Sequence, residues 1–378
     1  GVAVAIGLVH LVVRVARSQG GEPETPGGTV PVPSLFRDPL FVLVVAFFVL
    51  SAFVSTVIAP TFFKAFFGEV ERGEGFLSYL HYVALLILAV RYFGEREWRR
   101  WFSGAALVAV VLSVVAWLQY LGVEPLPLGL RPMEQPGSLL GNTAYLAEFL
   151  ILALGAIAVL LNRREGVVDR RARILLGVAA AFFTLTIFVT AIRGAILGLA
   201  VGALVVAAMV ALRKGVPRRV RQVALASIIL VVTLGGIFWA TRSSPLWVSV
   251  PGFNRLTRLS LENPSVSTRL IGLGVSLEAW KEKPVFGWGL EHYNVAYNTH
   301  YDPAYSYYAE EWFDRAHSKL AEVGVVQGTV GLVLYLALLA LTLYRARSNP
   351  WLVGGIVAYV VQNLFLFDNI TSYLMLFL

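Results

Sequence analysis

Four residues of this chain combine side-chain types and placement that could do chemistry together: Arg193, Arg269, His317 and Asp368. Two guanidiniums suit a diphosphate, because arginine offers phosphate oxygens a planar, permanently charged fork. A histidine beside them can accept a proton near neutral pH. An aspartate can orient that imidazole or hold an acceptor hydroxyl. Such a set could transfer a sugar from a lipid diphosphate without a metal, and the sequence shows no His, Asp and Glu cluster with ligand spacing. Each residue alone also fits a plainer role. Arg193 at a helix end fits a side chain that snorkels to lipid phosphates. Arg269 fits a neutraliser of a nearby acid, His317 with Asp314 an exposed helix pair, and Asp368-Asn369 a solvated turn. The shared side of the membrane on which all four fall favours the chemical reading.

That side follows from the elements that must position them. Arg193 is the only charged residue between Ile174 and Leu212. One helix of that length would measure about 58 Å, roughly twice the hydrocarbon thickness of a bilayer. The stretch must fold back, most simply at Thr190–Gly194. Arg163, Arg164, Arg170, Arg171 and Arg173 precede the hairpin, and Arg213, Lys214, Arg218, Arg219 and Arg221 follow it. Basic short loops stay in the cytoplasm, so Arg193 is held at the outer face.

Composition agrees: 57% of residues are hydrophobic and 14% charged. The net charge of +8 gathers in the inner loops, which sets topology and argues against a nucleic-acid surface. With no cysteine, a disulfide framework is excluded. Expected spans are Leu40–Ile58, Phe76–Val90, Phe102–Leu121, Asn142–Leu161, Ile174–Val189, Ala195–Leu212, Val223–Ala240, Leu320–Leu343 and Trp351–Phe367. A clipped helix at Val2–Val13 precedes them, and a last segment begins at Ile370. Gln19–Pro33 reads as a flexible inner loop. The fold class is therefore all-α, a polytopic membrane bundle of about 11 to 12 helices in the full chain. Its parts are transmembrane helices over 1–241, an extracytoplasmic loop domain over 242–319 and further transmembrane helices over 320–378. No internal repeat is evident, which weakens an alternative reading as a transporter or flippase of lipid-linked glycans.

The loop Arg242–Lys319 holds His292, His300 and His317, and loops of such length are usually functional. Ser267 or Thr268 could cap a helix from Arg269 to Lys281 with Leu270, Leu273, Leu277 and Trp280 on one face. A second helix is expected near Asp314, carrying His317 toward the membrane. Tyr293, Tyr297, Tyr301 and Tyr305 keep i,i+4 spacing, which fits packing better than a sugar platform. Glu148 and His81 fall one to two turns below the outer surface, where either could partner an arginine.

Thr-Ala-Ile-Arg-Gly-Ala (190–195), Ser-Thr-Arg (267–269), Pro-Val-Phe-Gly-Trp-Gly (284–289) and Phe-Asp-Arg-Ala-His-Ser (313–318) resemble the signature of the O-antigen ligase and polymerase superfamily. Arg72-Gly-Glu-Gly75 and Gly141-Asn142 are weaker echoes. Ile192 stands where the family usually has Ser, and Ser318 where it usually has Asn. The resemblance implies a GT-C-class glycosyltransferase of the bacterial inner membrane, multi-pass, with its active site on the outer side. The implied donor is a glycan on undecaprenyl diphosphate, bound at its diphosphate by Arg193 and Arg269. The acceptor is a hydroxyl of a glycan, lipid or protein, and His317 is the base, giving inversion. Asp368 completes the catalytic set. Trp288, Tyr307, Tyr308, Trp312 and Glu311 are sugar-binding candidates. No cofactor, no metal and no nucleic acid are implied; membrane lipids are the surroundings.

Overall fold

A computed structural model describes residues 38–69, 72–123, 135–161, 169–250, 253–257, 263–310 and 313–376. The expected segments Val2–Val13 and Gln19–Pro33, and the residues Glu311 and Trp312, lie outside them. Among the described residues the chain is helical and contains no strand. Its main helices are α1 Pro39–Val57, α2 Phe62–Phe67, α3 Phe76–Tyr92, α4 Glu95–Tyr120, α5 Thr143–Leu161, α6 Arg170–Thr190 and α7 Arg193–Leu212. There follow α8 Arg218–Thr241, α9 Pro264–Glu282, α10 Tyr293–Thr299, α11 Lys319–Ala346, α12 Pro350–Asn363 and α13 Ile370–Leu376. Seven of them, α1, α4 to α8 and α11, are long and apolar enough to cross a membrane. The protein is an all-α polytopic membrane protein.

The chain forms two compact units. One takes the described residues up to Trp98 with Ser267–Arg345; the other takes Arg99–Val266 with Ala346–Leu376.

In the second unit the hairpin forms where the lone arginine predicts it. Asp169 opens α6, its carboxylate accepting from the amide of Ala172 at 2.7 Å. Ala191 closes it in the left-handed region (φ 54°) and Ile192 starts α7. The helix interface is built from small residues. Gly198 and Gly202, one turn apart on α7, press on the backbones of Ala358 and Gly354 of α12, where any Cβ would meet a carbonyl oxygen. Close backbone approach of this kind is how membrane helices associate without a hydrophobic driving force between them. α5 supplies the core of the unit, with Leu146, Leu150, Ile151 and Ile157 fully buried against Phe183 and Ile187 of α6.

In the first unit α1 and α11 run antiparallel. Asp38, at the start of α1, pairs with Arg345 near the end of α11. At the other end the Ser55 hydroxyl donates to the Val326 carbonyl at 2.5 Å. The expected single span Leu320–Leu343 is corrected here: α11 is broken at Gly328, whose φ of 68° and ψ of −169° no helix contains. From 329 to 346 the second piece measures about 27 Å, a membrane thickness in itself. The loop fills the break. Thr329 and Val330 donate to the carbonyls of Pro284 and Val285 at 2.7 and 3.2 Å, and Trp288 and Gly289 donate to those of Val325 and Val326 at 2.9 and 3.0 Å. Gly287 and Gly328 make this approach possible, since both have positive φ and a Cβ on either would meet the facing backbone.

The expected start of α9 changes. It begins at Pro264, not Arg269, with the Asn263 carboxamide accepting from Ser265 N at 3.1 Å. Its buried side is Ser267, Thr268, Gly272, Val275, Ser276 and Ala279, so the leucines face outward. A Leu stripe marks a covered face without saying what covers it.

Placing the basic loops inside gives a direct test. Single cysteines at positions 215 and 300, introduced into a chain without any, should react with a membrane-impermeant maleimide only from opposite sides. Labelling of position 215 from outside intact cells would overturn the topology.

Candidate active site

Phe-Asp-Arg-Ala-His-Ser (313–318) and Arg72-Gly-Glu-Gly75 meet in the first unit. Arg72 pairs with Asp314 at 2.5 Å. Arg315 is 7% exposed and its guanidinium reaches three carboxylates: Glu291 at 2.6 Å, Glu74 at 3.0 Å and Glu322 at 3.0 Å. The other oxygen of Glu322 accepts from the Ala316 amide at 2.7 Å. Burial alone would lower the Arg315 pKa, but the three carboxylates more than offset it and hold the group charged.

This anchor fixes the backbone that carries His317. His317 does not ride on a helix as expected; it lies just before α11 in the left-handed region, φ 49°. Glu291, on the other side of Arg315, is also left-handed at φ 61°. Such a backbone costs roughly 1–2 kcal/mol for a residue with a Cβ and persists where the surroundings enforce it. The His317 ring packs on Phe313, centroids 4.2 Å apart. Its Nδ1 donates to the Arg315 carbonyl at 3.1 Å. A carbonyl can only accept, so Nδ1 carries the proton and the neutral ring has its lone pair on Nε2. A carboxylate was expected in that orienting position; a backbone carbonyl occupies it. Burial, and after it the charges of Arg269 and Arg72, lower the His317 pKa, opposed by the carbonyl bond and by Asp314.

The aromatic candidates separate. Trp288 is buried, its indole N–H donating to the Ala279 carbonyl at 2.8 Å and its ring under the Lys283 ammonium at 3.8 Å. It packs the loop and presents no sugar-facing surface. Tyr307 and Tyr308 are exposed, at 87% and 41%. Tyr293, Tyr297 and Tyr305 form the core beneath, as their spacing suggested, and burial raises the pKa of Tyr293 and Tyr297. His292 pins the start of α2: Nδ1 donates to the Leu290 carbonyl at 2.7 Å and Nε2 accepts from Thr61 N at 3.2 Å. His300 pairs with Glu282 at 2.8 Å.

In the second unit Arg193 is the first residue of α7, and its Nη1 donates to the Ser265 hydroxyl at 3.3 Å. Ser265 lies in the first turn of α9. Asp368-Asn369 is not a solvated turn. α12 stops at Asn363, and the chain that follows turns inward, leaving Asp368 2% exposed and bonded by the Tyr359 hydroxyl. Glu148, fully buried, accepts from Asn363 at 3.1 Å and Asn369 at 2.7 Å. His81 is exposed and bonds the Leu77 carbonyl at 2.7 Å.

Sequence reasoning missed Arg315 as an anchor. It stands inside a quoted motif, but its three carboxylates come from three separate segments, and no local pattern joins them.

Residues 177–336 match the family model described as O-antigen ligase, a range that includes Arg193, Arg269 and His317 and stops short of Asp368. Among curated proteins none matches the chain.

Proposed function

We propose, from the O-antigen ligase family match over residues 177–336, that this chain transfers a glycan from an undecaprenyl-diphosphate-type carrier to an acceptor hydroxyl. That match supports an O-antigen ligase or polymerase type of membrane enzyme. The transfer step rests most on His317: a half-buried imidazole with its tautomer set by a carbonyl and its pKa lowered is neutral, and able to act as a base, at neutral pH.

In the proposed step the acceptor O–H gives its proton to His317 Nε2. The oxygen bonds to the anomeric carbon from the face opposite the diphosphate, whose C–O bond breaks, so the centre inverts. The leaving diphosphate keeps the electron pair and needs charge stabilisation more than protonation, which Arg193 and Arg269 are assigned to supply. Tyr307 and Tyr308 are assigned to sugar faces. Asp368, being buried, is assigned to hold its segment in place and not to take the proton. The reaction is placed at the outer face of the inner membrane.

The test is incubation of the purified protein with lipid-linked glycan and candidate acceptors, with products resolved by mass. Transfer should survive EDTA. Arg193→Lys and Arg269→Lys should each lose ~10- to 100-fold, because an ammonium keeps the charge but loses the bidentate fork. Full activity in both variants would remove the arginines from this role.

A further inference from the structure

The outward side of α9 is an apolar stripe in a loop assigned outside the membrane. Leu270, Leu273 and Leu277 are 52%, 42% and 46% exposed. They fall within one sector of the helix, since residues three and four apart share a face. Charged residues border the sector, Arg269 on one side and the Glu278–Lys281 pair on the other. The opposite side, which carries Ser267, Thr268 and Ser276, is buried, and Ser276 hydrogen-bonds the Tyr293 hydroxyl at 2.8 Å. This stretch of the helix has three hydroxyls inside and its leucines outside. In water that order is unfavourable; against hydrocarbon it is the stable one.

The end of α9 fixes the level at which the stripe runs. The Trp280 indole N–H bonds the Thr329 hydroxyl at 3.3 Å, and its ring lies over Gly324. Pro284 and Val285, just beyond the helix, bond the amides of Thr329 and Val330. Thr329 opens the membrane-length piece of α11, so a bilayer matched to that piece would begin at the level of Leu277 and Val285, which is 53% exposed. Tryptophan at that level is the usual interfacial anchor.

We infer that α9 is an in-plane interfacial helix whose Leu270–Leu273–Leu277 stripe is seated in the acyl chains of the outer leaflet. The occupant is lipid hydrocarbon. The charged borders of the sector would meet headgroups, and the loop domain would rest on the bilayer through this helix.

Because the sequence has no cysteine, single spin labels can be placed cleanly in proteoliposomes of phosphatidylethanolamine and phosphatidylglycerol. At positions 273 and 277 relaxation should be enhanced more by oxygen, which concentrates in hydrocarbon, than by a water-soluble nickel chelate. At position 278 the chelate should win. Chelate dominance at 273 and 277 would show a stripe in water, and exclusion of both reagents would show one covered by protein, such as a second copy; either overturns the inference. A phospholipid with a diazirine near the carboxyl end of its acyl chain examines the unaltered protein. Adducts within 269–281 are expected, and their absence counts against the inference independently of any substitution. Neither readout depends on glycan transfer, so its failure is separable from that of the proposed function.

Discussion

His317→Ala lowers transfer by ~10²- to 10⁴-fold, the range for losing a general base, while lipid-linked donor still binds through the arginines. Binding is read by co-purification of donor or by protection from a competing photoprobe. The pH profile carries the sign. The imidazole acts as base only when neutral, and its pKa is lowered below the ordinary 6.5, chiefly by burial and then by Arg269. Activity should therefore hold as pH falls through 6.5 and decline only below it. Arg269→Gln removes one of the charges that depress this pKa, so the acid limb should move to higher pH in that variant. A limb that stays put would show that His317 is not the titrating group.

Arg315→Ala destabilises the protein by ~3–5 kcal/mol, the usual result of removing one partner from a buried ion cluster. Glu74, Glu291 and Glu322 would be left facing one another at low exposure. The measurement is the thermal midpoint in detergent, with a large fall or failure to accumulate expected. Arg315→Lys is the informative companion, because a single ammonium nitrogen on a shorter side chain cannot occupy both the Nη1 and Nη2 positions that the carboxylates meet. That variant should fold, bind donor and lose turnover, since the carbonyl orienting His317 belongs to residue 315. Turnover equal to the parent would reduce Arg315 to a structural pin.

Much of the fold was legible because hydrophobic length and basic loops carry it directly. Arg193 alone between Ile174 and Leu212 located the turn of the α6–α7 hairpin. The failures share a cause. Periodicity says that one face of α9 is covered, yet leucines look the same whether protein or lipid covers them. Loop charge gave Asp368 a side but no depth, and the early stop of α12 set the depth. The break at Gly328 sits among Gly324 and Gly331, glycines ordinary enough in a membrane helix to hide it. The motif 313–318 was visible, but its meeting with Glu74 and Glu291 joins segments distant in sequence and is invisible to local pattern.

The break in α11 also imposes an order on biogenesis. Residues 284–289 leave the ribosome well before residues 325–330, and the four backbone hydrogen bonds between them form only when both are present. Until then the amides of Thr329 and Val330 open a membrane helix with nothing to bond, which hydrocarbon penalises by several kcal/mol per group. Formation of the break in α11 is thus completed by a segment synthesised before it. A protein translated in two pieces, divided between Gly289 and the start of α11, should recover a stable α11 only when the piece carrying Pro284–Gly289 is supplied as well.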